Sequence, residues 1–196
     1  YRMALVHWSA SSFFQAVLVA LLVTPLALAF RYLAKRASRK RRKDGTILWA
    51  LPLAFMVLAG IVTFYPIFMG NGQVLAQAVL SGQPFSNLAL ILVVKGLLVY
   101  ILLSNGAYGG TLTPSFALGI GSGYLVTMIL SAVGLHLDPA LGMLLGAKVF
   151  LGTTLQAPLT AIALSLGFTG QSWSLILPLA LSAGVSYMIQ NRWENK

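Results

Sequence analysis

Four long stretches without a formal charge constrain this chain more than any other feature. Residues 3–30, 45–94, 96–137 and 149–191 contain no Asp, Glu, Lys or Arg. A helix that crosses a bilayer needs about 20 mainly apolar residues to match a hydrocarbon core of about 30 Å, and each stretch is longer than that. Of the 196 residues, 58% are hydrophobic and 8% charged, against roughly 25% charged residues in an ordinary soluble domain. So few charges cannot clothe a soluble surface. The expected fold class is all-α, a polytopic membrane protein.

The net charge of +10 is local. Arg31, Lys35, Arg36, Arg39, Lys40, Arg41, Arg42 and Lys43 hold most of it, and only Tyr32 interleaves as an aromatic, which argues against nucleic-acid binding. Short basic loops stay cytoplasmic. Residues 31–45 are therefore expected to form a cytoplasmic basic loop, between a helix of about Ser9 to Lys35 and a return helix of about Thr46 to Tyr65. Anionic lipid headgroups are a second use for such a loop. The first apolar run ends, rather than begins, with basic residues, so a cleavable signal peptide is not expected. With Tyr1 in place of Met, the chain is expected to be part of a longer polypeptide. No Cys is present, which excludes disulfides and thiol chemistry.

Several apolar segments are short or broken. Gln73 to Leu80 cannot span. A helix of about Phe85 to Leu103 carries Lys95, and Ser115 to Val133 forms the next. Asp138-Pro139 suits a cap and first helical position for a segment ending near Phe150. Gly152 to Pro158 interrupts again, and helices of about Pro158–Phe168 and Trp173–Gln190 close the chain. Non-helical backbone survives at membrane depth only inside protein or beside a water-filled cavity, so such breaks point to a solute pathway.

The most informative break is Ser104 to Pro114. Thr113 is expected as N-cap and Pro114 as the first helical residue, with free N–H groups and roughly +0.5 of an elementary charge at the helix start. Gly109 and Gly110 remove side chains that would hold a ligand off the backbone. Gly110, Thr111, Leu112 and Thr113 thus form a candidate anion site built from amides, suited to a small anion such as chloride. A plain interhelical loop is the other reading.

Ser104-Asn105-Gly106-Ala107-Tyr108-Gly109-Gly110-Thr111-Leu112-Thr113-Pro114-Ser115-Phe116-Ala117-Leu118-Gly119 resembles the segment of the ClC chloride channel and proton/chloride exchanger family that contains its Gly-x-Phe-x-Pro signature. Gln156-Ala157-Pro158-Leu159-Thr160-Ala161 is similar to that family's Arg-Ala-Pro-Leu-Thr segment. Trp173-Ser174-Leu175-Ile176-Leu177-Pro178 is similar to its Tyr-x-Leu-Ile-Leu-Pro, and Gly70-Asn71-Gly72 occupies the place of a Gly-rich turn. The resemblance implies the C-terminal inverted-repeat half of a ClC-type fold, with residues 1–196 forming one membrane domain. It further implies chloride transport as channel or exchanger, and chloride held in part by the amides of Thr111 and Leu112. A homodimer with helices 158–168 and 173–190 at its interface follows from the same likeness, as does a missing N-terminal half bearing the gating glutamate and serine ligand. A pore tyrosine would follow the last segment. Leu112 stands where the signature has Phe, Gln156 where Arg is frequent, and Gly167 where an acidic residue is usual.

Lys95 and Lys148 lie in apolar surroundings. Each either adds positive potential to an anion pathway or snorkels or bonds a local carbonyl. His7 and His136 lack partners spaced for a metal and read as interfacial, with no cofactor expected. Trp8, Trp49, Trp173 and Trp193 fall near segment ends, as an aromatic belt requires. Gly119-x-Gly121-x-Gly123 suits close helix approach rather than a dinucleotide. No hydrolase, kinase or metalloprotease motif is present, and a plasma (inner) membrane location is expected. Two rival functions remain, a transporter of another small anion such as a carboxylate and a non-transporting scaffold with a lipid-binding loop. The scaffold requires Arg39 to Lys43 and tolerates bulky residues at Gly109 and Gly110.

Overall fold

The computed structural model of the protein describes residues 1–6, 9–42 and 44–194. Among them there is no strand, and eight α-helices follow in order: α1 (Ala10–Arg39), α2 (Ile47–Phe64), α3 (Gln73–Leu80), α4 (Leu88–Ser104), α5 (Leu112–Ala132), α6 (Pro139–Leu155), α7 (Pro158–Thr169) and α8 (Ile176–Glu194). The α1, α2 and α5 helices, together with Trp173–Glu194, are long and apolar enough to cross a membrane, while α4, α6 and α7 are shorter apolar helices. Long and short helices are mixed along the chain, as the sequence breaks predict. His7, Trp8 and Lys43 lie outside the described residues.

The core is the α5–α6 pair, and two Gly-x-x-x-Gly steps explain it. A Cβ on Gly119 would stand 2.6 Å from Gly146 O and 2.7 Å from Ala147 Cα, and one on Gly123 would stand 2.9 Å from Gly146 Cα. Only glycines let the two backbones approach this closely. Gly121, on the opposite face, would meet Leu92 of α4. Around this seam Phe116, Ile120, Leu144, Leu145 and Leu151 are fully buried. The α1 and α8 helices pack against α6. By contrast α2 buries only Ala54, and its other apolar side chains are exposed or half-buried.

Polar clamps pin the connections. Gln15 Nε2 donates to Asp138 O (2.7 Å) and its Oε1 accepts from Asp138 N (3.2 Å). Asp138 in turn caps α6 by accepting from Ala140 N at 2.9 Å, with Pro139 at the first helical position, as its sequence suggests.

Three expectations are corrected. Residues 31–45 are not a loop as a whole, because α1 remains helical to Arg39; Lys and Arg are good helix formers, and no Gly or Pro intervenes before Gly45. The interruption after α6 is shorter than Gly152–Pro158: helix continues through Leu155, and only Gln156 (φ 56°) and Ala157 (φ −133°, ψ 78°) leave it. Pro158 forces that exit, since proline excludes the preceding residue from helical conformation. Finally, α5 begins at Leu112 with Thr111 as N-cap (φ −83°, ψ 0°) and no side-chain cap bond. Thr113 and Pro114 therefore lie within its first turn. Proline is harmless there because the first-turn N–H groups have no intrahelical acceptor.

Candidate functional site

The break before α5 is built by the end of α4. Gly106 takes φ 111°, a left-handed conformation that glycine adopts without cost, and a Cβ there would meet Ile47 Cγ1 at 2.6 Å. Gly106 N donates to Leu103 O (3.4 Å) and Ala107 N to Leu102 O (3.0 Å), closing α4 with a Schellman motif. Residues 107–111 are then non-helical. The first helical hydrogen bond of α5 runs from Ser115 N to Thr111 O (2.9 Å). The amides of Gly109, Gly110, Thr111, Leu112 and Thr113 have no acceptor among the described residues. Gly109 and Gly110 border open space, with nothing within 4 Å of a Cβ built on either.

These amides do not stand alone. A cavity of about 430 Å³ is lined by Thr111, Thr154 and the α1 residues Arg31, Ala34, Lys35, Ser38 and Arg39. Arg31, Lys35 and Arg39 recur every four residues and so share one helical face. Three cations thus line the cavity that Thr111 also lines. Thr154 Oγ1 is buried without a hydrogen-bond partner among the described residues, and so, outside the cavity lining, is Ser115 Oγ in the first turn of α5.

The loop after α1 rests on the same segment. The Arg41 guanidinium stacks 4.2 Å from the Tyr108 ring centroid, and Arg42 N donates to Ser104 O at 3.2 Å. The glycine segment and the basic cluster, weighed as separate features in the sequence, are one structural unit. Neutralising Arg39 would therefore disturb both, and that substitution does not separate an anion pathway from a scaffold.

The two embedded lysines part company. Lys95 is buried, and its Nζ donates to Phe68 O (2.9 Å) and Gly70 O (2.8 Å). This is the local carbonyl bond, the other reading of Lys95, and the ammonium holds the turn between α2 and α3. Lys148 is 1% exposed and belongs to a different cavity, lined with Gln156, Pro158, Gln190 and Glu194. Neither lysine joins Gly110–Thr113. His136 is exposed between α5 and α6. Among the described residues no three metal-ligating side chains come together.

Sequence reasoning missed Arg31, Lys35, Arg39, Thr154 and Glu194. The four-residue spacing of the first three is a readable signal, but Arg39 lies beyond the helix end expected near Lys35, and nothing local says that this face meets Thr111. Arg31 Nη2 lies 2.8 Å from Glu194 Oε1, a pairing between chain ends that no local pattern reveals.

Comparisons with known proteins agree with this architecture. The chain is 29% identical over 165 residues to the H(+)/Cl(−) exchange transporter ClcA of Vibrio vulnificus strain YJ016, covering 83% of this chain and 34% of that protein. It is 28% identical over 126 residues to ClcA of Vibrio cholerae O395, covering 63% of this chain and 27% of the relative. The fold matches a crystal structure of a CLC-type fluoride/proton antiporter with a TM-score of 0.73 and 20% identity, over 94% of this chain and 45% of the other. The chain thus spans about a third of the length of these curated relatives, which are transporters, and under half of the solved structure. Residues 1–191 match the family described as voltage gated chloride channel, and on that match the chain belongs to the voltage-gated chloride channel family of integral membrane proteins.

Proposed function

We propose that this chain is the C-terminal half of a ClC-type anion-transport domain and contributes half of a chloride pathway. Chloride is held by the backbone amides of Gly110, Thr111, Leu112 and Thr113. The observation that carries this reading is the set of unpartnered amides at the start of α5, beside a cavity lined by Arg31, Lys35 and Arg39. Amide dipoles and the positive end of α5 replace part of the anion's hydration. The row of cations on α1 raises the local anion concentration, and none of them contacts the amides, so binding stays weak enough for release. Leu112 takes part through its main chain, so the absent aromatic side chain leaves its contribution intact.

In this reading the remaining half of the pathway comes from an N-terminal half of the same protein. The α7 and α8 helices lie at the interface of a homodimer, and the end of the basic stretch, after Arg39, faces the cytoplasm from the plasma (inner) membrane. Exposed Leu159, Leu177 and Tyr187 on α7 and α8 support an interface there. The test is anion efflux from liposomes containing the full-length protein. Chloride should leave, organic carboxylates should stay, and Gly110→Leu should abolish chloride efflux. Undiminished chloride efflux in Gly110→Leu would overturn the reading, and efflux of carboxylates alone would favour the other-anion transporter.

A further inference from the structure

The side of α6 away from the α5 seam carries a second feature that the pathway does not use. Lys148 is 1% exposed, and its ammonium has neither a hydrogen bond nor an ion pair among the described residues. It lines a cavity of about 160 Å³ with Thr153, Gln156, Pro158, Tyr187 and Glu194. Pro158 is the first residue of α7, a helix of 12 residues. The amides of Leu159 and Thr160 find no acceptor among the described residues, the first α7 bond being Ala161 N to Ala157 O at 3.0 Å.

From the Lys148 side chain and the first residue of α7, Pro158, lining one cavity, we infer a second small-anion site at Lys148, distinct from Gly110–Thr113. The charge balance is the reason. Glu194 is the carboxylate that borders the cavity, and its Oε1 is engaged by Arg31 Nη2 at 2.8 Å. Arg31 and Lys148 thus set two cations against one anion, and Lys148 is the one left uncompensated. A buried charge without a counter-charge is costly, and a halide in the cavity removes that cost. Gln190 does not compete, since its Nε2 donates to Ser186 O (3.2 Å) and Thr153 Oγ1 (3.4 Å). The volume of about 160 Å³ admits one monovalent ion together with several waters. Glu194 disfavours a multivalent occupant.

The experiment is anomalous diffraction from crystals of the full-length protein grown in bromide, for wild type and Lys148→Met. A bromide peak in contact with Lys148 Nζ that is lost in Lys148→Met is the expected result. Absence of a peak in the wild-type cavity would overturn the inference, as would a peak that persists in Lys148→Met. The wild-type crystal alone decides the matter if the variant does not fold. A peak at Lys148 with none at Gly110–Thr113 would support this site while counting against the α5 reading. The reverse pattern would do the opposite, so the two fail separately.

Discussion

Arg31 Nη2 and Glu194 Oε1, 163 positions apart in sequence, lie 2.8 Å from each other and tie the basic half of α1 to the last turn of α8. The pair is asymmetric: the Arg31 side chain is 8% exposed and that of Glu194 47%. Water screens the carboxylate, so the pair contributes little to stability, about 1 kcal/mol at most. Its weight is positional, since it fixes Arg31 where the cavity shared with Thr111 is lined.

The asymmetry predicts different outcomes for the two partners. Arg31→Gln leaves a half-exposed carboxylate that water can satisfy, whereas Glu194→Gln leaves a buried guanidinium without its counter-charge. Glu194→Gln should be the more destabilising substitution in thermal unfolding of the detergent-solubilised protein.

Lys35→Gln and Arg39→Gln should slow chloride entry without moving the fold. With Arg31 also neutralised, flux at low salt should fall about tenfold. The difference should shrink near physiological ionic strength, where charges more than about 8 Å apart are largely screened. Flux measured across a salt series checks this.

Lys95→Met removes both donors from Phe68 O and Gly70 O. Bonds from a charged donor contribute about 1.5–3 kcal/mol each. The variant should lose about 3 kcal/mol of stability overall, while its preference among chloride, bromide and nitrate stays that of the wild type. A changed preference would return Lys95 to the pathway.

Gly123→Val should be harsher than Gly121→Val. A Cβ at Gly123 meets the backbone of Gly142 and Gly146, while one at Gly121 meets the flexible end of Leu92. Overpacking against backbone costs about 3 kcal/mol, so Gly123→Val should show the larger loss in melting temperature.

Much of the fold was legible because its signals are local. Charge-free runs set the spans, Asp138-Pro139 set the start of α6, and Pro158 set the break before α7. The glycine pattern gave close packing on α5, while its partner step, Gly142-x-x-x-Gly146 on α6, carries the same readable spacing and was passed over. The α5 start lies two residues before the expected one, since Thr113-Pro114 has the chemistry of a cap and only the backbone shows that Thr111 holds that position. The cations of the cavity were seen but misassigned: a run of Lys and Arg looks solvated in sequence, and Arg31 is buried only through its tertiary pairing with Glu194.

The central claim is that main-chain N–H groups at the start of α5 hold chloride. Replacing the Leu112 amide by an ester in the full-length protein deletes that one donor and leaves the side chain in place. Calorimetric titration with chloride should then show affinity about tenfold weaker than wild type, the loss of about 1.4 kcal/mol expected for one bond to a charged ligand. Unchanged chloride affinity in the ester protein would contradict the account.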